Sequence, residues 1–150
     1  MSQNVKTVAL AADHAGYELK GHIAAHLSAA GFKVLDLGTD SDARVDYPDY
    51  GYKLAEAIAA GTAQRGIAVC GSGVGIGIAA NRYKVVRAAL CVNAEMAQLA
   101  RQHNDANVLA MGARLIDVET ALSCVDTFLS EDFEGGRHEG RVNKLGNKGV

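Results

Sequence analysis

The chain has 150 residues, of which 49% are hydrophobic, and its formal net charge is -2, so residues 1–150 suit one domain with one core. The small net charge gives no support for nucleic-acid or membrane binding, and 5% aromatic residues without tryptophan argue against base stacking. No apolar run is long enough to span a bilayer, the start lacks the apolar segment of a signal peptide, and three widely spaced cysteines fit reduced thiols, so we expect a cytoplasmic protein.

Strands and helices are predicted to alternate along the chain. Predicted strands cover residues 5–12, 32–37, 67–70, 86–92 and 107–111, and predicted helices cover 16–30, 50–60, 76–83, 94–103 and 117–129. Residues 38–47 read as a polar loop that closes on the only proline, Pro48. Regular alternation with short connections predicts an α/β domain whose five-stranded parallel sheet is covered by helices on both faces. From residue 134 onward the sequence is glycine-broken and basic, and residues from about 142 to 150, with Lys144 and Lys148, read as a tail.

A glycine-rich loop follows the third predicted strand, at residues 70–77. Glycines at alternate positions allow a tight bend that points several main-chain N–H groups in one direction, and the helix that follows adds partial positive charge. An anion is therefore the expected ligand, although a tight turn without a ligand is the simpler alternative. Neither nucleotide motif is met, because Ile76 stands where the dinucleotide fingerprint needs glycine and no Gly-Lys-Ser/Thr follows.

Ligands of parallel sheets bind beyond the carboxyl ends of the strands, which selects three groups of residues. Asp13 and His14 follow the first strand, residues 70–75 follow the third, and residues 112–114 follow the fifth. We expect these groups to converge at one edge of the sheet. Asp13 could equally be a helix N-cap. A thiolate at Cys70 would be favoured beside a helix N-terminus, whereas a buried apolar thiol is the alternative.

The residues alone leave the roles of three further side chains, His103, Arg137 and Arg141, undecided. His103 lies four residues after Leu99 on the apolar face of its helix, and it is either a helix-end histidine stabilised by the dipole, with Asn104 as the cap, or an imidazole directed into a cleft. Arg137 and Arg141 are one helical turn apart, so both could hold one anion, but a solvated basic tail explains them as well. Cys91 and Cys124 read as buried apolar thiols.

Taken together, these pieces resemble the ribose-5-phosphate isomerase B family, which includes the galactose-6-phosphate isomerase subunits. The resemblance rests on six motifs in order, namely Ala12-Asp13-His14-Ala15-Gly16, Asp46-Tyr47-Pro48, Cys70-Gly71-Ser72-Gly73-Val74-Gly75, Arg101-Gln102-His103-Asn104-Asp105, Met111-Gly112-Ala113-Arg114, and Glu134-Gly135-Gly136-Arg137-His138 followed by Arg141. It implies a single Rossmann-like three-layer αβα domain with a C-terminal helical tail. It also implies a homodimer or tetramer that interconverts an aldose phosphate and a ketose phosphate without a metal or cofactor.

The resemblance also assigns roles to individual residues. Cys70 matches the base that moves a proton between C1 and C2, and His103 matches the residue that opens the sugar ring, with Asp13 helping to hold the ring oxygens. Ser72 is assigned both to the catalytic residues and to the residues that bind the substrate. The main chain of Gly71, Ser72, Gly73 and Gly75 matches the anion hole, Asn104 a substrate-hydroxyl contact, and His14, Arg114, Arg137 and Arg141 the phosphate-binding set.

In the family the site is shared, so that His103 and Asn104 face the glycine loop of a second chain. The substrate expected from the resemblance is ribose 5-phosphate, with ribulose 5-phosphate as the product. Allose 6-phosphate, galactose 6-phosphate or a tetrulose phosphate are alternatives, since pocket depth decides between them. A sugar-phosphate sensor without catalysis is a further alternative, although Cys70 and His103 are both present.

Overall fold

The computed structural model describes residues 4–147. Its strands are β1 (Thr7–Ala12), β2 (Lys33–Asp36), β3 (Arg65–Cys70), β4 (Ala88–Leu90) and β5 (Val108–Gly112). Its α-helices are α1 (Tyr17–Ala29), α2 (Tyr47–Ala59), α3 (Val74–Ala80), α4 (Ala94–Asn104), α5 (Val118–Ser130) and α6 (Glu139–Asn147). Single 3-10 turns precede α1 and α6, at His14–Gly16 and Gly136–His138.

The five strands form one parallel sheet in the order β2-β1-β3-β5-β4. After β1 the chain moves outward to β2 and then returns to the other side of β1 to form β3. The order therefore reverses between β1 and β3, and in open parallel sheets this reversal opens a crevice at the carboxyl ends of the strands. The register sets Ala12 beside Val69 and Cys70 beside Gly112, so these strands end at a common edge.

Each face of the sheet carries its own hydrophobic core. On one face Ile23 of α1, Ala97 of α4 and Phe128 of α5 are buried against the sheet. On the other face Leu54 of α2 and Ile76 of α3 are buried. The predicted three-layer αβα domain is thus confirmed. The part of the chain that the structure describes contains no helix of the length and apolarity needed to cross a membrane.

Helix α2 begins earlier than predicted. It starts at Tyr47, so Pro48 lies within its first turn rather than at the end of a loop. Proline is tolerated there because the N–H that it lacks would have no partner inside the helix, and its fixed φ suits the helix. Strand β4 is shorter than the predicted residues 86–92, as is common for the edge of a sheet.

The basic C-terminal stretch forms α6 through residue 147, while residues 148–150, with Lys148, lie outside the described part. The predicted C-terminal helical tail is therefore observed. Val142 is its buried residue, and Leu145 is exposed. One cap also differs from the prediction. Helix α4 includes Asn104, and its C-cap is Asp105, whose φ of 46° is left-handed.

Candidate active site

An open cavity of about 600 Å³ lies at the carboxyl ends of β1, β3 and β5. Its polar lining comprises Asp13, His14, Tyr47, Cys70, Ser72 and Arg114. The structure thus brings together the three groups that the strand-end rule selected. Tyr47 is an addition, because no role for this side chain was predicted from the Asp46-Tyr47-Pro48 motif.

Asp13 and His14 are fixed by main-chain hydrogen bonds. Asp13 is 6% exposed, and its Oδ1 accepts from the Gly16 amide at 3.1 Å, so it caps the 3-10 turn and also borders the cavity. The Val45 amide donates to His14 Nδ1 at 3.2 Å. Because an amide can only donate, this Nδ1 carries no proton, and the neutral ring must keep its proton on Nε2. His14 can therefore act as an N–H donor through Nε2.

Cys70 ends β3 as a buried thiol beneath the glycine loop. The Gly73 amide donates to Cys70 Sγ at 3.2 Å, and the Val74 amide donates to Ser72 Oγ at 3.2 Å. Two of the amides expected to face an anion are thus used inside the loop. Gly71 and Gly75 line the cavity, whereas Gly73 is buried.

Two glycines of the loop have no room for a side chain. Gly73 has a φ of +79°, and a Cβ there would lie 2.7 Å from the Met111 carbonyl carbon. A Cβ on Gly75 would overlap the ring of Tyr47. The Arg114 guanidinium lies over Gly71, with Nη1 3.1 Å from where a Cβ would be. The loop is therefore packed between β5, the start of α2 and Arg114.

His103 and Asn104 are not part of this cavity. Helix α4 leaves the carboxyl end of β4, and three residues separate its end from the start of β5, so its last turn lies at the amino end of the sheet. Eleven helical residues span roughly 16 Å, which is about the length of a five-residue strand. Asn104 accordingly lines a second cavity of about 400 Å³, together with Arg87 and Leu145. Within one chain, Cys70 and His103 lie at opposite ends of the sheet.

The stripe of α4 that carries His103 faces outward. Met96 and Leu99 are each 40% exposed, and the buried residues of the helix are Ala97, Ala100 and Arg101. The helical spacing was thus predicted correctly, but this apolar face does not pack into the core of the chain.

The His103 ring stacks on that of His138, with centroids 4.3 Å apart and planes 14° from parallel. Glu134 Oε1 lies 3.9 Å from His103 Nε2 and 3.7 Å from His138 Nε2. Burial lowers the pKa of His138 below its usual value, and the positive charge of Arg137 lowers it further. Arg137 and Arg141 flank this group as exposed side chains. Sequence reasoning missed Glu134 and His138 because nothing in the sequence signals that they fold against His103.

Residues 8–145 match the family model described as Ribose/Galactose Isomerase. Ribose-5-phosphate isomerase B of Escherichia coli is 48% identical over 141 residues, which cover 94% of this chain and 95% of that protein. A ribose 5-phosphate isomerase from Thermotoga maritima has a TM-score of 0.92 at 50% identity, covering 95% of this chain and 98% of that one. Ribose-5-phosphate isomerase B from Mycoplasma genitalium, solved with bound ribulose-5-phosphate, has a TM-score of 0.90 at 42% identity, with 93% of each chain covered. The chain therefore belongs to the ribose/galactose isomerase family.

Proposed function

We propose that this chain is an aldose-ketose isomerase that interconverts ribose 5-phosphate and ribulose 5-phosphate. The single observation that carries the proposal is the position of Cys70. Its Sγ accepts a hydrogen bond from the Gly73 amide, and the residue lines a cavity that Asp13, His14 and Arg114 also line. The relatives support the same reaction class, because one of them is a ribose-5-phosphate isomerase B solved with bound ribulose-5-phosphate.

Cys70 is proposed as the base. Its thiolate takes the proton from C2 of the open-chain aldose, the C–H electron pair forms the C1–C2 double bond, and the carbonyl electrons move to O1. Return of the proton to C1, with transfer of the O2 proton to O1, gives the ketose. Such proton transfer contributes ~10²–10⁴ in rate. Main-chain amides of the loop, those of Gly71, Ser72 and Gly75, would hold the developing oxyanion, and Ser72 Oγ would contact the same substrate oxygens.

The substrate phosphate is proposed to lie at the mouth of the cavity, against His14 and Arg114. His14 offers an Nε2–H donor, and Arg114 offers a guanidinium whose planar fork suits a phosphate. Arg137 and Arg141 of a second copy complete this set in the proposal. Arg137 lies in the 3-10 turn before α6 and Arg141 in the first turn of α6, about one helical turn apart. Holding the phosphate fixes the register of the reacting carbons over Cys70.

A second copy of the chain is proposed to complete the site, as a homodimer or a tetramer built from such dimers. The support is topological, because His103 and Asn104 lie at the opposite end of the sheet from Cys70 and no movement of side chains joins them. The exposed apolar residues Met96 and Leu99 on α4 and Ile78 on α3 supply surface for such a contact. In the assembly, His103 of one copy opens the sugar ring over Cys70 of the other, while Asp13 and Asn104 hold hydroxyls.

Turnover of a panel of phosphorylated sugars by the purified full-length chain tests this function. Ribose 5-phosphate should be isomerised with the highest kcat/KM, and allose 6-phosphate, galactose 6-phosphate and tetrulose phosphates are the competing substrates. Faster turnover of a six-carbon substrate would transfer the assignment to that sugar. Tight binding without turnover of any of them would instead indicate a sugar-phosphate sensor. The cytoplasmic location stays a prediction from the sequence.

A further inference from the structure

A cluster of potential metal ligands lies where the last turn of α4 meets the segment before α6. His103, Glu134 and His138 each offer one ligand atom, and these atoms all lie within 4.8 Å of one another. Two imidazole nitrogens and one carboxylate oxygen are a donor set that Zn²⁺ binds readily, with a fourth position left for water. Two ligand atoms on one tetrahedral zinc are about 3.3 Å apart. The separations from Glu134 Oε1, of 3.7 and 3.9 Å, are a few tenths of an ångström longer than this. The half-exposed His103 ring must also turn out of its stack on His138, because the lone pairs of two nearly parallel rings do not meet at one ion.

His138 supplies a second and independent observation. Its side chain is 8% exposed, and Nε2 has no hydrogen-bond partner although it is buried. A buried polar atom without a partner is destabilising, so such an atom commonly marks a missing ligand, ion or water. The atom is directed towards the carboxylate of Glu134, at 3.7 Å, which is the middle of the cluster.

The cluster is also held in place by its surroundings. The Glu134 amide donates to the carbonyl of Gln102 at 3.0 Å, and the Gln102 side chain donates to Glu131 at 3.0 Å. The segment that carries Glu134 is thereby fixed next to His103. The stacking of the two imidazole rings keeps both beside Glu134. Because the three side chains are already held together, less conformational entropy is lost when the ion binds.

Two nearby cations weaken the attraction of the cluster for a metal ion. Arg137 and Arg141 carry positive charge, but both side chains are exposed, so water screens them. The Glu134 carboxylate lies within 4 Å of both imidazoles and partly neutralises an incoming cation.

We propose that His103 Nε2, His138 Nε2 and Glu134 Oε1 form a binding site for one divalent transition-metal ion of the Zn²⁺ type, and that occupation of this site inhibits the enzyme. Inhibition follows because a metal-bound nitrogen has no lone pair with which to accept or deliver the ring-opening proton. This second part rests on the proposed function, whereas the binding site does not.

Binding is tested on the full chain with Co²⁺, whose visible absorption reports its ligands, and with Zn²⁺ by calorimetry. The wild type should bind one ion per chain. Glu134→Gln and His138→Asn should each weaken affinity at least about 10-fold. His22→Asn removes an exposed histidine of α1 and is the matched control, and it should leave affinity unchanged. Glu134 is exposed, so Glu134→Gln keeps the test valid if His138→Asn unfolds the chain.

Two results would overturn the site. One is equal affinity in the wild type and both cluster variants. The other is a Co²⁺ spectrum with thiolate charge-transfer absorption that disappears in Cys70→Ala, because the ion would then be in the sheet-edge cavity.

Inhibition is tested by isomerase assays with and without Zn²⁺. Zn²⁺ should slow the wild type, and Glu134→Gln should need at least about 10-fold more Zn²⁺ for the same fractional inhibition. Stoichiometric binding without any effect on turnover would overturn the inhibitory part. If the chain isomerises no sugar phosphate, the proposed function fails while the binding measurements still decide the metal site.

Discussion

The three thiols of the chain have different surroundings, and only a thiol with access to a cavity can react with a substrate. Burial raises the pKa of Cys91 to about 12 and also raises that of Cys124, so neither forms a thiolate near neutral pH. We therefore expect iodoacetamide to modify Cys70 first, and sugar phosphate to protect it. Peptide mass spectrometry after partial alkylation measures this directly, and preferential labelling of Cys91 would contradict it.

The role of Cys70 in catalysis is tested by substitution. Cys70→Ala should lower kcat by roughly 10²-fold or more, because the proton-transfer base is lost, while a phosphorylated inhibitor still binds. Cys124→Ala removes a thiol of the core and is the matched control, which should keep its turnover at some cost in stability. Near-native turnover of Cys70→Ala would remove the thiol from the mechanism.

Gly75 shows how closely the cavity wall is packed. A methyl group at this position would overlap the Tyr47 ring, so the ring must move in Gly75→Ala. Because Tyr47 lines the cavity, we expect kcat/KM to fall by roughly 10- to 100-fold. The double variant Gly75→Ala/Tyr47→Ala should be no worse than Tyr47→Ala alone, since the overlap is gone.

A matched glycine variant separates this effect from helix propensity. Gly21→Ala lies in α1, where nothing is within 4 Å of the added methyl, and it should stabilise the fold by roughly 0.5–1 kcal/mol with unchanged turnover. For the cavity wall itself, losses in kcat/KM that add up in Gly75→Ala/Tyr47→Ala would show that the contact between these two residues does not shape the site.

Some residues of the site were predictable from the sequence and others were not, and the difference has a physical reason. Asp13, Cys70 and Arg114 lie at or within two residues of strand ends, and the ends of parallel strands must share an edge, so order along the chain places them together. Tyr47 follows a long polar loop whose path is set by tertiary contacts. His138 meets His103 across 35 positions of the sequence through stacking that no periodicity encodes.

The N-cap of helix α5 is Asp117, a carboxylate whose charge depends on pH. Asp117 Oδ1 accepts from the Thr120 amide at 2.8 Å. Hydrogen bonding from the Thr120 side chain, and then from this amide, holds the pKa of Asp117 below its ordinary value of 3.8. Since the folded-state pKa is lowered, the stabilisation is complete above about pH 4 and is lost as the pH falls through the folded-state value.

Asp117→Ala should therefore reduce the free energy of unfolding at pH 7, and its difference from the wild type should shrink at acidic pH. Asp117→Asn keeps a capping oxygen without the charge, so its smaller deficit at pH 7 should also shrink there. Urea midpoints at pH 7 and at pH 3 measure both. A deficit for Asp117→Ala that grows on acidification would exclude the proposed charge contribution.

The predicted helix boundaries agree with the observed ones for some helices and not for others. The predicted helices α4 and α5 are within one residue of the observed ones at each end. Each observed helix begins after a cap, Asn93 or Asp117, whose side chain accepts from the third helical amide, although the prediction placed Asp117 inside its helix. Helix α2 was placed three residues too late because Pro48 was taken as a loop residue. Helix α6 forms in spite of Gly140 and Gly146, and Val142 provides its buried contact.

If the active site is shared between two copies of the chain, the whole assembly has a property that one chain lacks. In one chain, Cys70 stands at the carboxyl end of β3, and His103 stands in the last turn of α4, near the amino end of the sheet. If each site takes Cys70 from one copy and His103 from another, two inactive variants can complement each other. Cys70→Ala and His103→Asn should each be inactive alone on cyclic sugar phosphate.

Mixing these two variants after dissociation and reassociation should restore activity. Random pairing makes about half of the dimers mixed, and in each mixed dimer one site of two has both wild-type groups, so about a quarter of native activity should return. Mixing each variant with itself is the control and should restore none. If mixed dimers, demonstrated by native mass spectrometry, stay inactive, each chain carries its own complete site and the shared-site proposal fails.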